Sequence, residues 1–105
     1  MIYHVKAKFR EETASELLSK LSDGTILDQR PDGPELVASM ERAVVNNSGK
    51  VEWSEMCFCP TPVWHERTTV LDGHFVQIST ERIDAHQKYK GASILQYLRA
   101  LVAAL

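Results

Sequence analysis

Residues 51–79 read VEWSEMCFCPTPVWHERTTVLDGHFVQIS, and the fold prediction depends on this stretch. It contains three segments rich in β-branched and aromatic residues, at 51–59, 63–71 and 74–79, separated by Pro-Thr-Pro and by Asp72-Gly73. Asp-Gly between two apolar segments is a strong hairpin signal, because the two central residues of the tight turn need positive φ angles. The stretch therefore predicts a three-stranded antiparallel meander in the C-terminal half.

The segments on either side of the meander predict one further strand and three to four helices. Residues 2–9 alternate between apolar and polar side chains, which is typical of a half-buried strand. Residues 13–24 and 34–45 carry apolar side chains at helical spacing, with at most a short strand between them. Residues 94–105 predict a C-terminal helix, and residues 81–90 a separate, exposed one.

The predicted order of elements is β-α-(β)-α-β-β-β-α, which indicates an α+β fold with an antiparallel sheet packed by helices. The chain has 105 residues, of which 44% are hydrophobic and 25% are charged, as in ordinary globular proteins. This length predicts a single domain, residues 1–105.

Charge and hydropathy exclude two classes of partner at the level of the sequence. Twelve Lys and Arg residues against fourteen Asp and Glu give a net charge of -2, which argues against a dedicated nucleic-acid binder. No apolar run is long enough to span a bilayer, and the N-terminal residues do not resemble a signal peptide. We therefore expect a cytoplasmic protein with no membrane partner.

The predicted meander brings several chemically active side chains to one face. Its first hairpin would pair Cys57 with His65 and Glu55 with Arg67, with Cys59 on the same side. Buried polar groups are costly unless they satisfy one another, so this cluster is either a structural ion-pair network or a functional site.

Two kinds of site are compatible with this predicted cluster. In a reactive-thiol site, the candidate catalytic residues are Cys57 and His65, and the candidate ligand-binding residues are Glu55, Arg67 and Cys59. In a zinc site, Cys57, Cys59 and His65 would bind the ion, with Glu55 or a helix residue as the fourth ligand. The C-x-C spacing differs from the usual C-x2-C, so the sequence assigns no metal and no cofactor.

The segment SEMCFCPTP, followed by HER, resembles small bacterial proteins of unassigned function. The resemblance implies a bacterial, cytoplasmic origin and carries no activity with it. The chain has no Gly-rich phosphate loop and no G-x-S-x-G elbow.

Our leading hypothesis is a non-enzymatic binding or protein-interaction domain with an unknown small-molecule ligand. We expect a homodimer, because five large apolar residues would occupy the second face of the meander: Met56, Phe58, Trp64, Val70 and Phe75.

Overall fold

The sheet of this protein has five strands, and every neighbouring pair is antiparallel; their spatial order is Phe75–Ile83, Ile2–Phe9, Val51–Met56, Val44–Val45 and Ala92–Ser93. The computed structural model describes residues 1–105. The strands are β1 (Ile2–Phe9), β2 (Val44–Val45), β3 (Val51–Met56), β4 (Phe75–Ile83) and β5 (Ala92–Ser93). The helices are α1 (Ala14–Ser22), α2 (Gly33–Arg42), α3, formed by the consecutive segments Trp64–Glu66, Arg67–Leu71 and Asp72–His74, and α4 (Ile94–Ala103). The predicted α+β fold with an antiparallel sheet is confirmed.

The interior strand β1, which pairs with β3 and β4, supplies one side of the core. Its alternating pattern places Tyr3, Val5, Ala7 and Phe9 on a buried face. The register with β3 sets Val5 opposite Trp53, so the apolar face continues across the sheet. The buried side chains of α1, α2 and α4 belong to the same core cluster: Ala14, Leu17, Leu36, Met40, Ile94 and Leu98. Burial of this apolar surface is the main force that holds helices and sheet together.

The predicted three-stranded meander is wrong. β1 lies between β3 and β4, and the segment expected to form the middle strand is the helix α3. Gly73, the expected hairpin glycine, lies within the last part of α3 and has no positive φ. The buried positions of this segment follow a helical spacing of three to four residues: Val63, Glu66, Val70, Leu71 and His74. Two of these are polar, which conceals the helical period in the sequence.

Three smaller expectations also differ from the structure. The second helix ends at Arg42, and the residues after it form the short strand β2. The short strand allowed between the first two helices does not form, and residues 25–29 are a series of turns. Residues 81–83 extend β4, and residues 84–90 follow it without regular structure. No helix in the molecule combines the length and the apolar character needed to cross a bilayer.

Candidate metal centre

Cys57 and Cys59 lie in the turn that directly follows β3. The Cys57 N–H donates a hydrogen bond of 2.8 Å to the carbonyl of Met1, which extends the β1–β3 pairing by one position. The chain then leaves the sheet, and the Cys59 N–H donates to Cys57 Sγ over 3.2 Å. Phe58, between the cysteines, is 85% exposed. The turn thus places both thiols on the protein side and the intervening aromatic ring in solvent.

Glu66 reaches the thiols from the first turn of α3. Val63, with φ 48° and ψ 27°, redirects the chain into this helix, and the Arg67 N–H donates to its carbonyl over 2.8 Å. The side chain of Glu66 is fully buried. Its Oε2 atom lies 3.6 Å from Cys57 Sγ and 3.8 Å from Cys59 Sγ. The three ligand atoms all lie within 4.8 Å of one another.

These separations fit a single tetrahedral ion. Zinc binds thiolate sulfur at about 2.3 Å and carboxylate oxygen at about 2.1 Å, so a tetrahedral angle sets the sulfur and oxygen about 3.6 Å apart. The observed sulfur–oxygen distances are 3.6 and 3.8 Å. Cys57, Cys59 and Glu66 are therefore placed as ligands of one ion would be.

Glu55 is a second buried carboxyl group beside Glu66. It points from β3 into the core, and the indole N–H of Trp53 donates to its Oε1 over 2.8 Å. Burial raises the pKa of Glu55 well above its usual range, and the neighbouring Glu66 acts in the same direction. Glu55 Oε2 and Glu66 Oε1 are both buried without a hydrogen-bond partner. Two such oxygens in one place are costly unless a proton or a cation compensates them.

The electrostatics of Cys57 disfavour a free nucleophile. Burial, together with the hydrogen-bonded Cys59 thiol and the Glu66 carboxylate, raises the pKa of Cys57 to about 12. A reactive cysteine needs the opposite shift, because the thiolate is the attacking form. A bound divalent cation would reverse this effect by deprotonating the coordinating thiol.

The hairpin pairs expected from the sequence do not form. Glu55 lies opposite Tyr3 of β1 rather than opposite Arg67. Arg67 forms an ion pair with Asp72 over 3.2 Å at the surface. His65 Nδ1 bonds to the Asp32 carboxylate and not to Cys57. Both pairings are wrong for the same reason: residues 64–74 are helical, so they do not run beside β3 as a strand.

The structure nevertheless brings Glu55, Cys57 and Cys59 together and adds Glu66, which the sequence interpretation missed. The sequence contains a pattern that could have identified Glu66 as a buried residue, since Glu66 lies three residues after Val63 and four before Val70. Both valines are buried, and this spacing is that of one helical face.

A cavity of about 750 Å³ adjoins the two thiols. Cys57 and Cys59 form part of its wall, and neither Glu55 nor Glu66 is among the lining residues. His65 and Asp32 line the same cavity, together with large apolar side chains. The thiols therefore lie between the buried carboxyl groups and a space large enough for a ligand.

The chain matches no protein-family model, no curated protein and no solved structure. The chemistry of the site therefore has to follow from its geometry.

Proposed function

We propose that this protein binds a divalent, thiophilic metal ion, with Zn²⁺ as the preferred ion, through Cys57, Cys59 and Glu66. The observation that supports the proposal is the convergence of two thiols and one buried carboxylate at separations of 3.6 and 3.8 Å. The Cys59 N–H that donates to Cys57 Sγ would stabilise the thiolate form of that ligand.

The kind of ion follows from the ligands. Thiolates select soft or borderline ions, whereas Mg²⁺ and Ca²⁺ prefer sites made only of oxygen atoms. An iron–sulfur cluster is usually held by four cysteines, and this chain has two. Two thiolates and one carboxylate match the sulfur and oxygen ligands of zinc sites.

The coordination number suggests what the ion does. Structural zinc sites are closed by four protein ligands, whereas catalytic sites use three and leave one position for water or a substrate. The three converging groups here correspond to the open type. Glu55, which is not one of the three, lies beside Glu66, and the Trp53 indole N–H holds Glu55 in place.

A protein-interaction role is the second candidate, as the sequence suggested. It is supported by Phe58 and Trp64, which are 85% and 56% exposed on the same surface. A homodimer stays a prediction, which sedimentation equilibrium at micromolar concentration would test. Val70 and Phe75, two of the apolar residues that motivated it, are buried within the chain itself.

Metal analysis and cobalt titration test the metal-binding proposal. Protein purified without chelators should contain about one zinc ion per chain, measured by inductively coupled plasma mass spectrometry. Co²⁺ added to chelator-treated protein should give the thiolate-to-cobalt charge-transfer absorption. Cys57→Ser, Cys59→Ser and Glu66→Gln should each weaken cobalt binding by about tenfold or more. The matched control is Glu81→Gln, an exposed glutamate on β4.

The proposal fails if the wild-type protein binds no cobalt. It also fails if Glu66→Gln binds cobalt as tightly as the wild type while both remain folded by circular dichroism. A Cys59→Ser protein with unchanged affinity would remove the C-x-C pair from the site.

A further inference from the structure

The cavity beside the thiols has the size and lining of a small-molecule site. Its volume of about 750 Å³ is typical of ligand pockets, which span roughly 300–1,000 Å³. Its lining combines large apolar side chains with a few polar groups, and both cysteines are among the lining residues. An ion held by those thiols would have its open position on the cavity side, because the carboxylate ligand does not line the cavity.

We propose that this cavity binds a small molecule with an aromatic or other apolar body and an uncharged nitrogen donor, which completes the coordination of the metal ion. The inference rests on the proposed metal-binding function. The nitrogen donor would be of the imidazole, pyridine or amine type, all of which bind zinc.

The charge of the site selects the uncharged donor. Two thiolates and one carboxylate carry three negative charges against the two positive charges of the ion, so the complex has a net charge of about -1. Two further carboxylates, Asp32 and Glu35, line the cavity. Asp32 bonds to His65, and Glu35 forms an ion pair with Arg42 over 3.3 Å. Because each of these carboxylates has a basic partner, the repulsion of an anionic ligand would come mainly from the net negative charge of the metal complex, and a neutral donor avoids this repulsion.

The apolar walls of the cavity favour a ligand with an aromatic or other apolar body. Phe58 and Trp64 line it and are 85% and 56% exposed, and Met56 is the third large apolar residue there. Aromatic rings on a ligand would stack on these side chains and cover apolar surface that otherwise faces water. Three exposed large apolar residues at one cavity are the surface expected of a ligand site.

His65 supplies a polar contact that would orient the ligand. Its Nδ1 atom bonds to Asp32, which leaves Nε2 for a ligand. A histidine held by a carboxylate has a fixed ring orientation. His65 would thus be a positioning residue. It should increase the affinity of ligands that carry a hydrogen-bonding group beside the donor nitrogen.

The experiment uses the cobalt-loaded protein and three probes: 4-phenylimidazole, imidazole and phenylacetate. 4-Phenylimidazole should perturb the visible d–d spectrum of the bound cobalt and should bind about tenfold more tightly than imidazole, because its ring stacks on the aromatic wall. Phenylacetate, which has the same ring and an anionic head, should leave the spectrum unchanged. Trp64→Ala should weaken binding of 4-phenylimidazole about fivefold without changing cobalt affinity. The control is Val76→Ala, an exposed apolar residue on β4.

The readouts separate the two proposals. If the thiolate-to-cobalt absorption never appears, the metal-binding function is wrong. If it appears and 4-phenylimidazole does not change the d–d bands, the metal site stands and the ligand inference is overturned. Tighter binding of phenylacetate than of 4-phenylimidazole would overturn the charge argument. A cobalt-loaded dimer that excludes all three probes would show that a second chain, and not a small molecule, covers the cavity.

Discussion

His74 is a buried histidine whose neighbours fix one neutral tautomer. Nδ1 lies 2.8 Å from Thr13 Oγ1, and the Thr13 hydroxyl donates to the carbonyl of Arg10 over 2.8 Å. Nδ1 therefore carries the proton. Nε2 faces the ammonium group of Lys20 at 3.5 Å, so it accepts rather than donates. Burial lowers the pKa of His74, and the charge of Lys20 lowers it further.

This arrangement predicts a stability that depends on pH. The folded state binds a proton at His74 more weakly than the unfolded chain, whose histidine pKa is about 6.5. The contribution is therefore fully present above the unfolded pKa and is lost as the pH falls towards the folded pKa. Urea unfolding of the wild type should show a declining free energy between about pH 7 and pH 5, and His74→Gln should flatten that decline.

Lys20→Met is the companion variant for the His74 prediction. It removes the charge next to Nε2, so it should also reduce the pH slope while leaving the histidine in place. Equal slopes in the wild type and in His74→Gln would show that His74 is not the group responsible.

At the scale of single residues, the sequence predicted part of the candidate site. Strand alternation correctly placed Glu55 on the core side of the strand that precedes the two cysteines. It could not supply Glu66, because that assignment needs the backbone of residues 64–74 to be helical. Because residues 64–74 were expected to form a strand, the sequence interpretation placed His65 and Arg67 in the site instead of their neighbour Glu66.

The element that the sequence concealed most effectively is α3. Thr68, Thr69 and Val70 are β-branched and favour strands, and two polar residues, Glu66 and His74, occupy its buried face. A hydrophobic period cannot be recognised where the inward positions are polar. In contrast, β1, α1, α2 and α4 bury apolar residues at regular spacing, and their positions were predicted. Departures from local patterns are expected where a chain builds a site.

Gly73 tests the helical assignment of α3, and Gly33, the first residue of α2, provides a contrast. A Cβ atom added at Gly73 would meet no atom within 4 Å outside its own helix, so Gly73→Ala should stabilise the protein by about 0.5–1 kcal/mol. At Gly33 a Cβ atom would overlap the backbone carbonyls of Ile26 and Leu27. Gly33→Ala should therefore destabilise the protein by about 1–3 kcal/mol. Urea denaturation of both variants measures the difference, and a destabilised Gly73→Ala protein would favour the hairpin over the helix.

Residues 84–90 form a strap over the polar face of the sheet. The buried hydroxyl of Ser54 lies 2.8 Å from His86 Nδ1 and accepts from the Gln87 N–H over 3.2 Å. Tyr89 stacks on His4 with ring centroids 4.2 Å apart. The strap forms neither a helix nor a strand, so these side-chain contacts hold it in place.

Removal of the Ser54 hydroxyl should loosen the strap more than it destabilises the fold. Ser54→Ala loses three hydrogen-bond contacts, to His86 Nδ1, the Gln87 N–H and the Gln87 carbonyl, each worth about 1 kcal/mol or less, and the loss falls on residues 86 and 87. Limited trypsin digestion should cleave after Lys88 several times faster than in the wild type. Ser79→Ala, at an exposed serine that donates to the Lys6 carbonyl, is the control on β4. Unchanged cleavage at Lys88 would mean that the Tyr89–His4 stacking alone holds the strap.

At the scale of the whole molecule, the proposed ion would connect segments attached to two strands, β3 and β4, that are separated in the sheet by β1. Cys57 and Cys59 follow β3, whereas Glu66 lies on α3, which leads into the edge strand β4. An ion bound by all three would tie the end of β3 to α3, and its positive charge would compensate the buried Glu66 carboxylate. Since unfolding separates the three ligands, metal binding should be coupled to global stability.

This coupling between metal binding and stability has an expected magnitude. Zinc at about 100 times its dissociation constant should add about 2.7 kcal/mol to the free energy of unfolding. For a domain of this size, each kcal/mol raises the melting temperature by about 4–8 °C, so the expected rise is about 10–20 °C. Differential scanning calorimetry with and without zinc measures the rise.

Glu66→Gln should abolish most of the zinc-dependent shift, because it removes a ligand. Glu55→Gln should retain most of it, because Glu55 is not one of the three ligands. A large zinc-dependent shift that survives Glu66→Gln and is lost in Glu55→Gln would reassign the third ligand to Glu55.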